Sequence, residues 1–269
     1  MFLFCKFRVL AISILLAGSV QSGSASAETL TIAVATNFQN TAHRLRLIFQ
    51  EKHPEHQIRL AAGSTGKLYT QIQNGAPFDI FLAADQERPK LLEEAGLAVP
   101  GSRFTYAIGR LALLSSGTGS SIPDILTVLE KADRIALAKP ELAPYGMASR
   151  QVLTKMNLGD QSSGKLVFGA SVGQVFSLVA TGAASTGFVA LSQVKRLRSR
   201  DAQIPGVLSA GWHSVDVPVN LHGPIYQDGI ILNRSAVKDV AELFMVFLRS
   251  KAGQEAIKAS GYEIEPGHE

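Results

Sequence analysis

The chain has 269 residues, 46% of them hydrophobic and 18% charged, which excludes wholesale disorder and leaves room for two lobes of ordinary size. Its 24 glycines follow no collagen period and no block repeats at solenoid spacing. Six histidines, one cysteine and one tryptophan leave little material for a metal cage or an aromatic base-stacking surface.

Residues 1–27 read as a secretory signal peptide. Lys6 and Arg8 form a positive region, Val9 to Ala17 an apolar run too short to span a bilayer, and Ala25-Ser26-Ala27 an A-x-A cleavage site. Cleavage after Ala27 removes two of 26 basic residues and none of the 22 acidic ones, so the formal charge falls from +4 to +2. Nucleic-acid binding thereby loses its main argument. Cys5 leaves with the leader, and it precedes the apolar run, so it is not placed to carry a lipid. The expected product is soluble, periplasmic and free of disulfides, relying on its core alone.

Along the mature chain, Leu30 to Ala35 is a strand candidate, followed by an amphipathic helix from Phe38 to Lys52 that breaks before Pro54. Gln57 to Ala62 is a second strand, Lys67 to Asn74 a short helix ending at Gly75, and Asp79 to Ala83 an apolar strand. Asp85 caps a helix running to Ala95, with Gly96 beyond its end. Arg103 to Ser115 reads as one long strand. A helix from Pro123, a strand at Arg134 to Ala138 and a helix from Gly146 to Met156 follow. Leu166 to Phe168 leads into a helix from Gly173 to Thr181, and Thr186 to Ala190 is strand again. Ile230 to Leu232 is the last strand, and helices at Ala236 to Leu248 and Ala252 to Ser260 close the chain. The alternation predicts an α/β protein with mainly parallel sheets. One large sheet would accommodate these units, but the long strand near Arg103 suggests a crossing between two lobes.

Four strand-to-helix turns share one chemistry: Ala35-Thr36-Asn37-Phe38, Ala62-Gly63-Ser64-Thr65-Gly66, Ala143-Pro144-Tyr145-Gly146 and Gly169-Ala170-Ser171-Val172-Gly173. Each puts small, hydroxyl or amide residues at a helix N-terminus, where free N–H groups and the dipole favour an anion. Any single turn reads more readily as a plain N-cap or tight turn than as a binding site; the set is more informative than any member. In parallel α/β sheets such turns gather at the carboxyl ends of the strands, where ligands bind. None contains Asp, Glu or Arg, and only Lys67 is near. Nothing in them accepts a proton from hydrogen phosphate, whereas a fully ionised tetrahedral dianion suits neutral donors. Hydrogen bonds to a charged group contribute roughly 1.5–3 kcal/mol each.

Other chemistries compete. Gly169 to Gly173 matches the G-x-S-x-G nucleophile elbow, with Asp201 or Asp216 and then His222 downstream, the α/β-hydrolase order around a Ser171 nucleophile. No HGGG-type oxyanion segment precedes it. Gly63 to Leu68 is P-loop-like, but Ala61 and Leu68 stand where glycine and a magnesium-binding hydroxyl belong. His53 and His56 flank Pro54 and read as solvated surface residues instead of a metal pair. Trp212 with Tyr226 would suit a sugar site, yet scattered aromatics usually serve core or hinge. The basic run Lys195 to Arg200 reads as a solvated helix face.

At these turns the sequence resembles the periplasmic molybdate-binding proteins of ABC importers. The matching text is Ala33-Val34-Ala35-Thr36-Asn37-Phe38, Gly63-Ser64-Thr65-Gly66, Gln71 to Pro77, Phe81 to Asp85, Gly101 to Gly109, Ala143 to Gly146, Ser171 to Gln174 and Gly187 to Leu191, in order over essentially the whole mature chain. The resemblance implies a type II periplasmic-binding-protein fold of two lobes with the oxyanion in the cleft. It implies one lobe from 28–107 with 226–269, the other from 108–225, and hinges near Tyr106 to Arg110 and Val219 to Asp228. Family ligand positions map onto Thr36, Asn37, Thr65, Tyr145 and Val172, the last two through main-chain N–H groups. The Ser171-Val172 turn then offers a donor, not a nucleophile. Asn37 replaces the Ser of many relatives. Ala190 stands where some relatives carry a ligand-contacting Tyr, for which the Tyr145 hydroxyl is the best-placed substitute. The implied protein is a monomeric, non-enzymatic receptor without cofactor or metal. It binds molybdate and tungstate and hands them to a membrane permease; a receptor for sulfate or another tetrahedral oxyanion is the alternative within the class.

Overall fold

In the computed structural model, which describes residues 29–116, 124–198 and 212–265, the strands sort into two five-stranded sheets. The first is built from β1 (Thr29–Ala35), β2 (Gln57–Gly63), β3 (Ile80–Leu82), β4 (Phe104–Gly109) and, from much later in the chain, β10 (Ile225–Ile231), in the order β2-β1-β3-β10-β4. The second holds β5 (Leu111–Ser116), β6 (Ile135–Ala138), β7 (Leu166–Gly169), β8 (Thr186–Ala190) and β9 (Trp212–Asp216), in the order β7-β6-β8-β5-β9. The first lobe carries helices α1 (Gln39–Lys52), α2 (Thr65–Gln73) and α3 (Glu87–Glu94). The second carries α4 (Ile125–Lys131), α5 (Pro144–Lys155), α6 (Gly159–Ser162), α7 (Val172–Ala180) and α8 (Leu191–Arg198). The chain then returns to the first lobe with α9 (Lys238–Arg249) and α10 (Lys251–Ala259). Among the described residues no helix is long and apolar enough to cross a membrane. The leader with its Ala25-Ser26-Ala27 site, Pro123, Asp201 and positions 199–200 of the basic run lie outside the described residues.

The inner strands β1, β3, β5, β6 and β8 are buried on both faces, so they are mostly apolar along their length and successive residues serve different cores. In β1, Leu30, Ile32 and Val34 pack with Phe38, Phe49 and Phe244, while Ala33 faces Phe81, Leu92 and Ile230. In β5, Leu111 and Leu113 join Leu137, Val152 and Phe188, whereas Ala112 and Leu114 join Val175, Val179 and Val189.

The predicted parallel character holds only in part. β1 is parallel to β2 and β3, and β6 to β7 and β8, but β10 runs antiparallel to β3 and β4, and β5 antiparallel to β8 and β9. The antiparallel strands are those by which the chain changes sheets. The single strand expected over Arg103 to Ser115 is therefore two, β4 and β5, divided at Arg110. At Gly109 the backbone passes so close to Tyr145 and Gln227 that an added Cβ would meet Gln227 Nε2 at 2.6 Å. The return crossing lies between Asp216, the end of β9, and Ile225, the start of β10. β10 begins five residues earlier than the sequence suggests, because Gln227 and Asp228 interrupt its apolar run. Both are nevertheless fully buried: Asp228 pairs with Arg103 Nη1 at 2.6 Å and accepts from Thr105 Oγ1 at 2.7 Å. The edge strand β9 and the short α6 carry no apolar run and were not legible.

Candidate functional site

Parallel pairing brings the four turns together. β1 and β2 are in register with Ala35 opposite Gly63, and β6 and β7 with Ala138 opposite Gly169, so the turns that follow emerge side by side from each sheet. The two pairs meet across the lobes around one small cavity of about 10 Å³. Ala35, Thr36, Asn37, Gly63, Ser64, Thr65 and Ala84 line it from the first lobe, and Ala143, Pro144, Tyr145, Ser171 and Val172 from the second. Thr36, Asn37, Thr65, Tyr145 and Val172, the five residues singled out from sequence, thus share one site. Among the described residues no charged side chain lines it.

The donors divide into those already engaged and those left over. Thr65, Tyr145 and Val172 sit in the first turns of α2, α5 and α7, where N–H groups lack an intrahelical acceptor. The neighbouring N–H groups are taken: Gly66 donates to Leu142 O at 2.9 Å, Gly173 to Thr36 Oγ1 at 3.3 Å, and Gln174 to Ser171 Oγ at 3.3 Å. The first two of these cross from one lobe to the other. Thr65 Oγ1 accepts from Ala84 N at 3.1 Å, but the adjacent Ser64 Oγ is buried with no partner. A buried hydroxyl left unpaired costs about 1–3 kcal/mol, so Ser64 is a donor held ready for something that enters the cavity. Sequence reasoning placed Ser64 in the turn and passed over its hydroxyl in favour of Thr65. The carboxylate of Asp85, next in sequence to the lining residue Ala84, is engaged: Arg88 pairs with it and reaches across to Glu141 O at 3.0 Å. Burial raises the Asp85 pKa, and Arg88 opposes the shift.

Behind the cavity lies a second, fully packed polar layer. Asn37 Nδ2 donates to Gln227 Oε1 at 2.9 Å and to Tyr262 Oη at 3.2 Å, so both amide protons are committed inside the protein. Asn37 therefore presents the cavity with its main chain, whereas the sequence suggested a side-chain donor. Tyr106 Oη lies 2.8 Å from Ala83 O and 3.1 Å from Gln227 Oε1. Tyr145 Oη is 3.4 Å from Gln227 Nε2 and abuts Gly109 at the crossing. That hydroxyl lies against the crossing strands, where its oxygen accepts from Gln227. Burial, first of all, raises the pKa of Tyr106, Tyr145 and Tyr262 above the ordinary phenol range, keeping the three protonated.

The competing motifs fall elsewhere. Ser171 Oγ is the N-cap of α7, and His222 Nδ1 lies 2.6 Å from Gly223 O. His53 and His56 stack beside Phe49 and Glu55, and among the described residues no group of three or more His, Cys, Asp or Glu could hold a metal. Trp212 belongs to the second sheet and Tyr226 to the first. Of the basic run, Arg196 reaches Asn40 of the other lobe.

Comparison with known proteins matches residues 30–263 to the family described as bacterial extracellular solute-binding protein. The molybdate-binding protein ModA of Azotobacter vinelandii is 40% identical over 262 residues, covering 97% of this chain and all of that protein. The protein of the same name from Rhodobacter capsulatus is 39% identical over 90% of each chain. The solved structure of the Azotobacter vinelandii periplasmic molybdate-binding protein superposes with a TM-score of 0.79 at 38% identity, over 88% of this chain and 99% of that one.

Proposed function

The chain belongs to the bacterial extracellular solute-binding proteins, with their two-lobed fold, and we propose that within this family it is the receptor that captures molybdate and delivers it to the permease of an ABC importer. The observation that carries this reading is the donor set. First-turn residues of helices from both lobes, whose N–H groups lack an intrahelical acceptor, and the unpaired Ser64 hydroxyl line one cavity with no charged side chain among the described residues of its wall. Such a site rewards full ionisation. Each donor gives roughly 1.5–3 kcal/mol to a dianion, while the proton of hydrogen phosphate finds no carboxylate among the residues of the wall to accept it. Names of relatives at 40% and 39% identity support the same ligand. Tungstate, of the same charge and nearly the same size, should bind as well.

Thr36, Asn37, Ser64, Thr65, Tyr145 and Val172 form the binding set, Asn37, Tyr145 and Val172 through the main chain. No cofactor or metal takes part, and no reaction is catalysed: Ser171 caps a helix. The protein is exported with cleavage after Ala27 and acts as a monomer in the periplasm.

Calorimetry of the mature protein with molybdate, tungstate, sulfate and phosphate tests the reading. Tight binding of the first two, weak binding of sulfate and none of phosphate is expected. Sulfate or phosphate binding tighter than molybdate would overturn it.

A further inference from the structure

Beyond α10 the chain turns back along the first crossing strand. Ile108 N–H donates to Glu263 O at 2.7 Å, Glu263 N–H donates to Ile108 O at 3.0 Å, and Arg110 pairs with the Glu263 carboxylate. This pairing seats Tyr262 between the lobes, 4% exposed, its ring edge-on to Phe38 with centroids 5.1 Å apart. Tyr262 Oη lies 2.7 Å from Asn37 O and 3.0 Å from Ser192 Oγ, and accepts from Asn37 Nδ2 at 3.2 Å. Ser192 Oγ itself donates to Asn37 O at 2.9 Å. Three segments meet here: the ligand turn of the first lobe, the start of α8 in the second, and the tail.

We propose that Tyr262 is a positioning residue for anion capture, fixing the Asn37 turn and tying it to Ser192, so that closure of the lobes and retention of the anion are coupled through one phenol. The proposal rests on the receptor reading above. Asn37 lines the cavity with its main chain, and its orientation is set on two sides by Tyr262, at the carbonyl and at the amide. Ser192 reaches the same carbonyl only while α8 lies against α1, that is, with the lobes together. A tie of this kind acts after the anion has arrived. Its loss should speed escape and leave encounter alone, since encounter depends on the open cleft.

The test uses the mature full-length chain, molybdate as the probe, calorimetry for affinity and stopped-flow intrinsic fluorescence for rates. Tyr262→Phe keeps the ring against Phe38 and removes only the oxygen. The dissociation rate should rise roughly tenfold while the association rate stays within about twofold, the loss expected for one or two buried hydrogen bonds. Ser192→Ala should raise dissociation as well, and the double variant should lose clearly less than the product of the two single effects, because both act through the same carbonyl. A residue serving only stability would change the melting temperature and leave this rate pattern untouched. Unchanged dissociation in Tyr262→Phe, a loss confined to association, or fully multiplicative effects with Ser192→Ala would overturn the proposal while the wild type still binds. Failure of the wild type to bind molybdate would overturn the receptor reading, and this proposal with it.

Discussion

Replacing Gly66 by alanine tests whether tight contact between the lobes is a condition of binding. Gly66 lies in the first turn of α2, and an added Cβ would meet Leu142 Cα and O at 3.2 Å each, both main-chain atoms of the opposite lobe. Main chain cannot rotate aside, so the lobes must yield by a few tenths of an ångström. The Gly66 N–H bond to Leu142 O, 2.9 Å long, stretches with them. Losing that bond costs about 0.5–1.5 kcal/mol, and overpacking a close contact typically about 1–3 kcal/mol. Since some of the strain relaxes, we expect about 1.5–3 kcal/mol against the closed arrangement, or roughly a ten- to hundredfold loss of molybdate affinity by calorimetry. Within its own lobe the change is harmless, because alanine favours a helix over glycine by up to about 1 kcal/mol. The melting temperature without ligand should therefore hold or rise. Affinity within about twofold of wild type would refute the role of this contact in closure. A large drop in ligand-free stability would show that Gly66 serves its own lobe instead.

Ser64→Ala removes an unpaired buried hydroxyl, so affinity should fall roughly ten- to a hundredfold while ligand-free stability holds or improves, as calorimetry and thermal melts will show. Tyr145→Phe should weaken binding by less than about threefold, because the hydroxyl faces Gln227 across a long contact and recognition uses the main chain; a loss of tenfold or more would place the oxygen on the ligand. Ser171→Ala should bind molybdate nearly as well as wild type but melt at a lower temperature, losing an N-cap worth about 0.5–2 kcal/mol; esterase activity in the wild type that disappears in this variant would revive a nucleophile. Affinity should be flat between about pH 6.5 and 8.5 and indifferent to a chelator. Among the described residues no histidine or carboxylate lines the cavity, and the three buried tyrosines have pKa values raised above the free phenol, so none loses a proton in that window.

The α/β alternation, most element positions and the four turns with their shared anion chemistry are legible in the order of the residues alone. These are local properties. A helix N-terminus, its capping residue and the period of a strand depend on neighbours within about four residues; Ser171 and Pro144 announce α7 and α5 for that reason. What depends on distant partners was settled only by the tertiary structure. Strand period is blind to a change of sheet, so β4 and β5 read as one strand although Gly109 and Leu111 belong to different lobes. Polarity argued against a strand at Gln227 and Asp228, yet Asn37, Arg103 and Thr105, all more than a hundred residues away, satisfy them in the core. The division of labour in the site is tertiary too. Ala84 N–H donates to the Thr65 hydroxyl oxygen while the Ser64 hydroxyl has no partner, Gln227 and Tyr262 hold the Asn37 side chain, and Gln227 donates to the Tyr145 hydroxyl oxygen. A hydroxyl or amide is a potential donor in any sequence; whether it points at a ligand or at the protein is decided by which acceptor the fold brings within about 3 Å of it.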